Sequence, residues 1–253
     1  MVIPFTALHT AGEYTSYERG RLQGESEVAG FKDYDAESER QKSVEAFYKS
    51  PYINQTVAFV TKMRADFGKL DKKVMSIWEC CELLNEVVDE SDPDLDEPQI
   101  QHLLQSAEAI RKDYPNEDWL HLTALIHDLG KVMTLPHFGG LPQWAVVGDT
   151  FPVGCAFDES NVHHKQYLLE NTNPSYNTKN GIYSQGCGLN NVMMSWGHDD
   201  YMYMILGRNT FTIRRTSSMS YCCKYNLYSK IKVHVDVEKV KSYTPTTCPL
   251  SRK

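Results

Sequence analysis

His127 and Asp128 set an imidazole beside a carboxylate within the apolar stretch Ala124-Leu125-Ile126 and Leu129. On a helix, adjacent side chains point about 100° apart, so such a pair can grip a metal pair through the imidazole and a bridging carboxylate. A carboxylate in those surroundings is costly unless it is paired or coordinated. His102, 25 residues upstream, lies on the preceding helical pattern, where an antiparallel helix pair brings it alongside His127. Ser195-Trp196-Gly197-His198-Asp199-Asp200 supplies a further imidazole next to carboxylates. Nitrogen and oxygen donors without sulfur favour iron, manganese or zinc over an iron–sulfur cluster. Taken singly, each histidine is more often a satisfied core residue, and a solvent-facing His-Asp pair at a helix end is the plain alternative. The combination carries the signal.

Other residues suit a polar ligand beside such a centre. Lys131, one turn after His127 on the same face, can orient a polyol or anion oxygen, or merely complement a helix C-terminus. The acidic turn Asp89-Glu90-Ser91 offers acceptors for several hydroxyls and lacks EF-hand spacing. Gly148-Asp149 permits close backbone approach of a ligand, or makes an ordinary turn. His121 reads as a packing or capping residue, His163 and His164 as surface, and His137 and His234 lack a partner pattern.

The elements that must position these groups are helical. Apolar spacing predicts helices over Asp35–Tyr48, Ile53–Phe67 and Ser76–Val88, then one from Ile100 to about Asp113. Asn116-Glu117-Asp118 reads as the cap of a helix running through Leu129, and a last helix is expected over Leu189–Leu206. Between them lies a long Gly-, Pro- and Asn-rich region with a strand-like piece at Trp144-Ala145-Val146-Val147. The expected class is all-α, with a loose arm over 1–30 and one helical domain over 31–253.

The chain of 253 residues carries 26 Lys plus Arg against 33 Asp plus Glu, a net charge of −7, which argues against nucleic-acid and anionic-membrane surfaces. With 41% hydrophobic and 23% charged residues it is globular in composition. No apolar run reaches membrane-span length, Met1–Gly20 lacks a signal-peptide layout, and the seven cysteines form no C-x-x-C pair. The expectation is a cytoplasmic protein with reduced thiols.

Four strings resemble the myo-inositol oxygenase family, plant type. They are Asp89-Glu90-Ser91-Asp92-Pro93-Asp94, His127-Asp128-Leu129-Gly130-Lys131, the stretch from Pro142-Gln143-Trp144 through Gly148-Asp149 to Gly154-Cys155, and Met194-Ser195-Trp196-Gly197-His198-Asp199-Asp200-Tyr201-Met202-Tyr203. The likeness runs from about Phe31 to Tyr203 and resumes weakly over Lys224–Lys241. It implies a compact HD-domain-like helical fold holding two irons, and a ring cleavage that turns myo-inositol and O₂ into D-glucuronate and water. By motif match it implies that His102, His127 and Asp128 hold one iron, and that Asp128 bridges to a second held by His198. Asp89, Glu90, Ser91, Lys131, Gly148 and Asp149 would line the inositol site, with Lys32 replacing a family arginine on the substrate.

The resemblance breaks beyond Tyr203. The family's His-Ser pair, an iron ligand and a substrate contact, has no counterpart in Met204–Cys223, which holds no histidine. The family's last iron-ligating Asp stands here as Asn226, a weaker neutral donor. The resemblance therefore implies a monomeric inositol oxygenase with two ligands altered. The alternatives are a paralogue that binds ligand or partner without turnover, and an HD-type metal-dependent phosphohydrolase.

Overall fold

The computed structural model describes residues 39–92, 97–161, 173–208 and 234–243. Lys32, Asn226, His163, His164, the arm over 1–30 and the divergent stretch past Arg208 lie outside the described residues. Among the described residues no strand forms, and the only extended pairings are the isolated bridges Val88–Pro98 and Pro152–Met194. The protein is all-helical, as its apolar spacing predicts.

Helix α1 spans Glu39–Asn54 and α2 spans Val57–Phe67. The expected start of the second helix at Ile53 is corrected by a cap: Thr56 accepts from the Phe59 amide at 3.1 Å, so α2 begins after it. Helix α3, Ile77–Leu83, opens on a capping box between Ser76 and Glu79. It tightens into a 3₁₀ turn over Leu84–Glu86 instead of running on to Val88. There the chain extends, and the Val87 carbonyl accepts from the Gln99 amide at 2.8 Å.

Helices α4, Gln99–Asp113, and α5, Asp118–Ile126, pack directly on each other. Leu103, Leu104, Ile110, Leu125 and Leu129 are buried between and around them. His121 packs in this interface, its Nε2 donating to the Tyr114 carbonyl at 2.7 Å across the connecting turn. The expected cap over 116–118 takes another form: Glu117 makes no side-chain cap and accepts instead from the Trp119 indole. Helix α5 also stops earlier than expected. His127 is its C-cap, Asp128 has φ −100° and ψ 4°, and Leu129–Thr134 is a 3₁₀ turn.

Two further expectations are corrected. Trp144–Val147 is no strand, because Gln143–Ala145 forms a 3₁₀ turn in which the Val146 amide donates to the Gln143 carbonyl at 2.8 Å. Leu189–Leu206 is not one helix either: a 3₁₀ turn over Leu189–Asn191 precedes α6, His198–Arg208. The residues between them pair sideways, with the Ser195 amide on the Phe151 carbonyl at 2.7 Å and the Phe151 amide on Ser195 Oγ at 3.0 Å. Helix α7, Val237–Tyr243, returns to the body through buried Val240 and a Lys241–Glu82 ion pair at 2.6 Å. Among the described residues no helix is long and apolar enough to cross a membrane.

Candidate metal centre

The end of α5 delivers His127 and Asp128 to one buried point, and two other elements meet it there. His102 arrives from α4, with its ring centroid 5.2 Å from that of His127. His198 is the first residue of α6, which approaches closely because residue 130 is glycine: a Cβ there would stand 2.5 Å from the His198 carbonyl oxygen. Asp128 is 2% exposed and takes both sides of the cluster. Its Oδ1 lies 3.1 Å from His198 Nε2 and 3.4 Å from His127 Nε2, while its Oδ2 lies 3.7 Å from His102 Nε2.

Two of the imidazoles are oriented by main-chain carbonyls. His127 Nδ1 donates to the Ala124 carbonyl at 2.6 Å, and His198 Nδ1 to the Val146 carbonyl at 2.7 Å. Each bond fixes Nδ1 as the donor and turns Nε2 toward Asp128, the arrangement by which outer-shell partners aim metal-ligating histidines. His127 Nε2 is buried without a hydrogen-bond partner. An imidazole nitrogen left so is costly in apolar surroundings and is satisfied by coordination. One ligand atom each from His102, His127 and Asp128 lie within 4.8 Å of one another, so the three can hold a metal ion.

Lys131 brings the second half of the site. It sits in the 3₁₀ turn after Asp128 rather than on the face of a continuing helix, and is 4% exposed. Its Nζ donates to Asp89 Oδ2 at 2.7 Å, to Asp128 Oδ2 at 2.8 Å and to Gln99 Oε1 at 2.8 Å. Asp89 is steadied in turn by Ser91, which donates from its hydroxyl at 2.6 Å and its amide at 2.9 Å to Oδ1.

The charges depend on one another. Burial opposes ionisation of Asp128, but His127, Lys131 and His198 outweigh it and hold the carboxyl well below the usual range. Burial likewise opposes charge on Lys131, and Asp128 and Asp89 overcome it and push its pKa upward. His198 is raised to about 9, since Asp199 and Asp128 overcome the cost of burying the imidazolium.

The remaining predicted residues fall around this cluster. Glu90 is exposed on an open groove of about 590 Å³ that Phe47 and Trp144 also line. Gly148 takes a left-handed φ of +95°, and Asp149 beside it is exposed. His234 does not join the cluster: its side chain is 71% exposed and 3.8 Å from Glu97.

Glutamines are the residues that sequence reasoning missed. Beside Gln99 on Lys131, three others each bond both ways to a loop backbone. Gln55 accepts from the Trp196 amide at 3.0 Å and donates to the Trp196 carbonyl at 2.7 Å. Gln143 donates to the Val88 carbonyl at 2.7 Å and accepts from the Glu90 amide at 3.4 Å. Gln101 accepts from the Val235 amide at 2.8 Å and donates to its carbonyl at 3.4 Å. Neutral amides at these positions form no spacing motif that could have signalled them.

Known sequences agree with this architecture. The sequence model of the myo-inositol oxygenase family matches residues 41–221. Inositol oxygenase 4 of Arabidopsis thaliana is 70% identical over 247 residues, covering 84% of this chain and 78% of the relative. The probable inositol oxygenase of Oryza sativa subsp. japonica is 56% identical, covering 84% of this chain and 80% of its own length. Inositol oxygenase of Mus musculus is 48% identical over 169 residues, covering 66% of this chain and 58% of its own length. With the family match spanning most of the helical body and the centre, this chain belongs to the myo-inositol oxygenase family.

Proposed function

We propose that this chain is an iron-dependent oxygenase that cleaves the ring of myo-inositol with O₂ to give D-glucuronate. One observation carries the reading: three imidazoles meet a single buried carboxylate, and that carboxylate also accepts from a buried ammonium. His102, His127 and Asp128 would hold one iron, and Asp128 with His198 the second, with the Asn226 amide oxygen a weaker donor in the place of a family carboxylate. The ions would supply Lewis acidity and O₂ activation. Lys131, its three N–H donors held by Asp89, Asp128 and Gln99, sets a positive charge beside the polyol and offsets negative charge there. Asp89, Ser91 and Glu90 accept from its hydroxyls and the small Gly148-Asp149 turn admits close backbone approach, while the family resemblance would add the Lys32 ammonium. Asp128 and Lys131 are buried, which strengthens the electrostatic interactions they make.

A second reading is favoured by Asn226 and by the absence of histidine from Met204–Cys223. It is a family member that binds inositol without turnover. The phosphohydrolase reading lacks support, because among the described residues Lys131 is the one buried lysine or arginine, too few for a phosphoryl group. The deciding assay measures D-glucuronate from myo-inositol and O₂ with protein loaded anaerobically with Fe(II) and a reductant. Product well above a His127→Ala control supports the oxygenase. Folded, iron-loaded protein that binds inositol and yields no product moves the assignment to the binding reading.

A further inference from the structure

The ammonium of Lys131 has three N–H donors on a flexible four-carbon stem, and each donor is engaged. Two acceptors are carboxylates, Asp89 and Asp128, at 2.7 and 2.8 Å, and the third is the neutral Gln99 amide oxygen at 2.8 Å. Gln99 is 3% exposed and opens α4, where its own amide donates to the Val87 carbonyl at 2.8 Å. It thus grips the strand of chain leading into Asp89 with its backbone, and the partner of Asp89 with its side chain. With two carboxylates alone, Nζ could pivot about the line joining them. A third fixed acceptor removes that freedom, and a neutral one does so without adding negative charge beside Asp128.

We propose that Gln99 is a positioning residue for Lys131, fixing where the positive charge of the ammonium sits beside the bound polyol. This rests on the inositol reading above. Gln99 belongs to none of the motifs that carry the family resemblance, and its role follows from the geometry around Nζ.

The test is a double-mutant cycle on the iron-loaded full chain, reading the Kd for myo-inositol by calorimetry, KM and kcat for D-glucuronate, and the thermal midpoint. Gln99→Met removes the acceptor at similar volume and is expected to raise Kd and KM about tenfold, the scale of one hydrogen bond to a charged group. In a Lys131→Met background Gln99→Met is expected to add no further loss, because its effect passes through the ammonium. Equal binding by Gln99→Met and wild type overturns the positioning role, as does a loss that persists undiminished without Lys131. Wild type that takes up no inositol overturns the functional reading and this role with it, a pattern distinct from wild type binding normally beside an unaffected variant. Should Gln99→Met fail to fold, Gln99→Asn, which withdraws the oxygen by one methylene, is judged by the same outcomes.

Discussion

Around Asp128 three imidazoles and one ammonium converge on a single buried carboxylate, whereas the loops that frame this centre are fastened by neutral amides. The two regions fail differently. In the charged centre each group is tolerated underground only because of the others, so loss of one leaves an uncompensated charge. The glutamine clamps at Gln55, Gln101 and Gln143 satisfy backbone donors and acceptors that helices and strands leave open, and they carry no charge for pH or metal to disturb. The chain thus gives much of its loop-holding to uncharged residues, and the centre meets the loops where His198 bonds the Val146 carbonyl and Lys131 bonds Asp89. The Trp196 backbone, held by Gln55 on both its amide and its carbonyl, is the segment whose fastening does not depend on the charge of the centre.

The largest expected effect lies in the centre. Lys131→Met leaves Asp128 and Asp89 facing one another without their shared cation, and should cost about 3–5 kcal/mol in a chemical denaturation curve. An unchanged midpoint would show that the two carboxylates do not depend on the ammonium. Gly130→Ala comes next. Its Cβ would meet the His198 carbonyl oxygen at 2.5 Å, so α6 must shift, at about 1–3 kcal/mol, and His198 moves away from Asp128. Iron titration of that variant should show weakened uptake even where it remains folded.

Among the clamps, Gln55→Leu unpairs the amide and carbonyl of Trp196 and should cost about 1–3 kcal/mol. Its distinguishing mark is that iron affinity falls less than in Gly130→Ala, while proteolysis between 187 and 197 quickens. Smallest is Glu82→Gln. It removes the charge from the exposed pair with Lys241 that ties α7 to α3 while leaving an acceptor oxygen, and a thermal melt should not resolve the change.

The centre is legible in the sequence through a combination: no one of His102, His127, Asp128 and His198 carries the signal alone, but together they set imidazoles and carboxylates into otherwise helical, partly apolar patterns. Lys131 was legible as a cation near the site, but its partners were not. Gln55 reaches a backbone 141 residues away, and no periodicity links the two. Apolar spacing carries one helix past its cap, at Leu129 after His127, and divides two others in the wrong place, since Ile53 belongs to α1, which runs to Asn54 rather than ending at Tyr48. Trp144–Val147 reads as a strand because a short buried apolar run has no helical period, yet its hydrogen bonds are local. Tertiary pairing of 193–195 with 151–153 likewise overrode the expected helix before His198.

The central claim is that Asp128 joins the imidazoles into one metal centre. Its most direct test compares iron bound per folded chain by wild type and Asp128→Asn after anaerobic loading and desalting. The account predicts that wild type retains iron and Asp128→Asn, still folded by circular dichroism, retains almost none. Equal iron in both would contradict it, and would place the metal on ligands other than the carboxylate at the centre of the cluster.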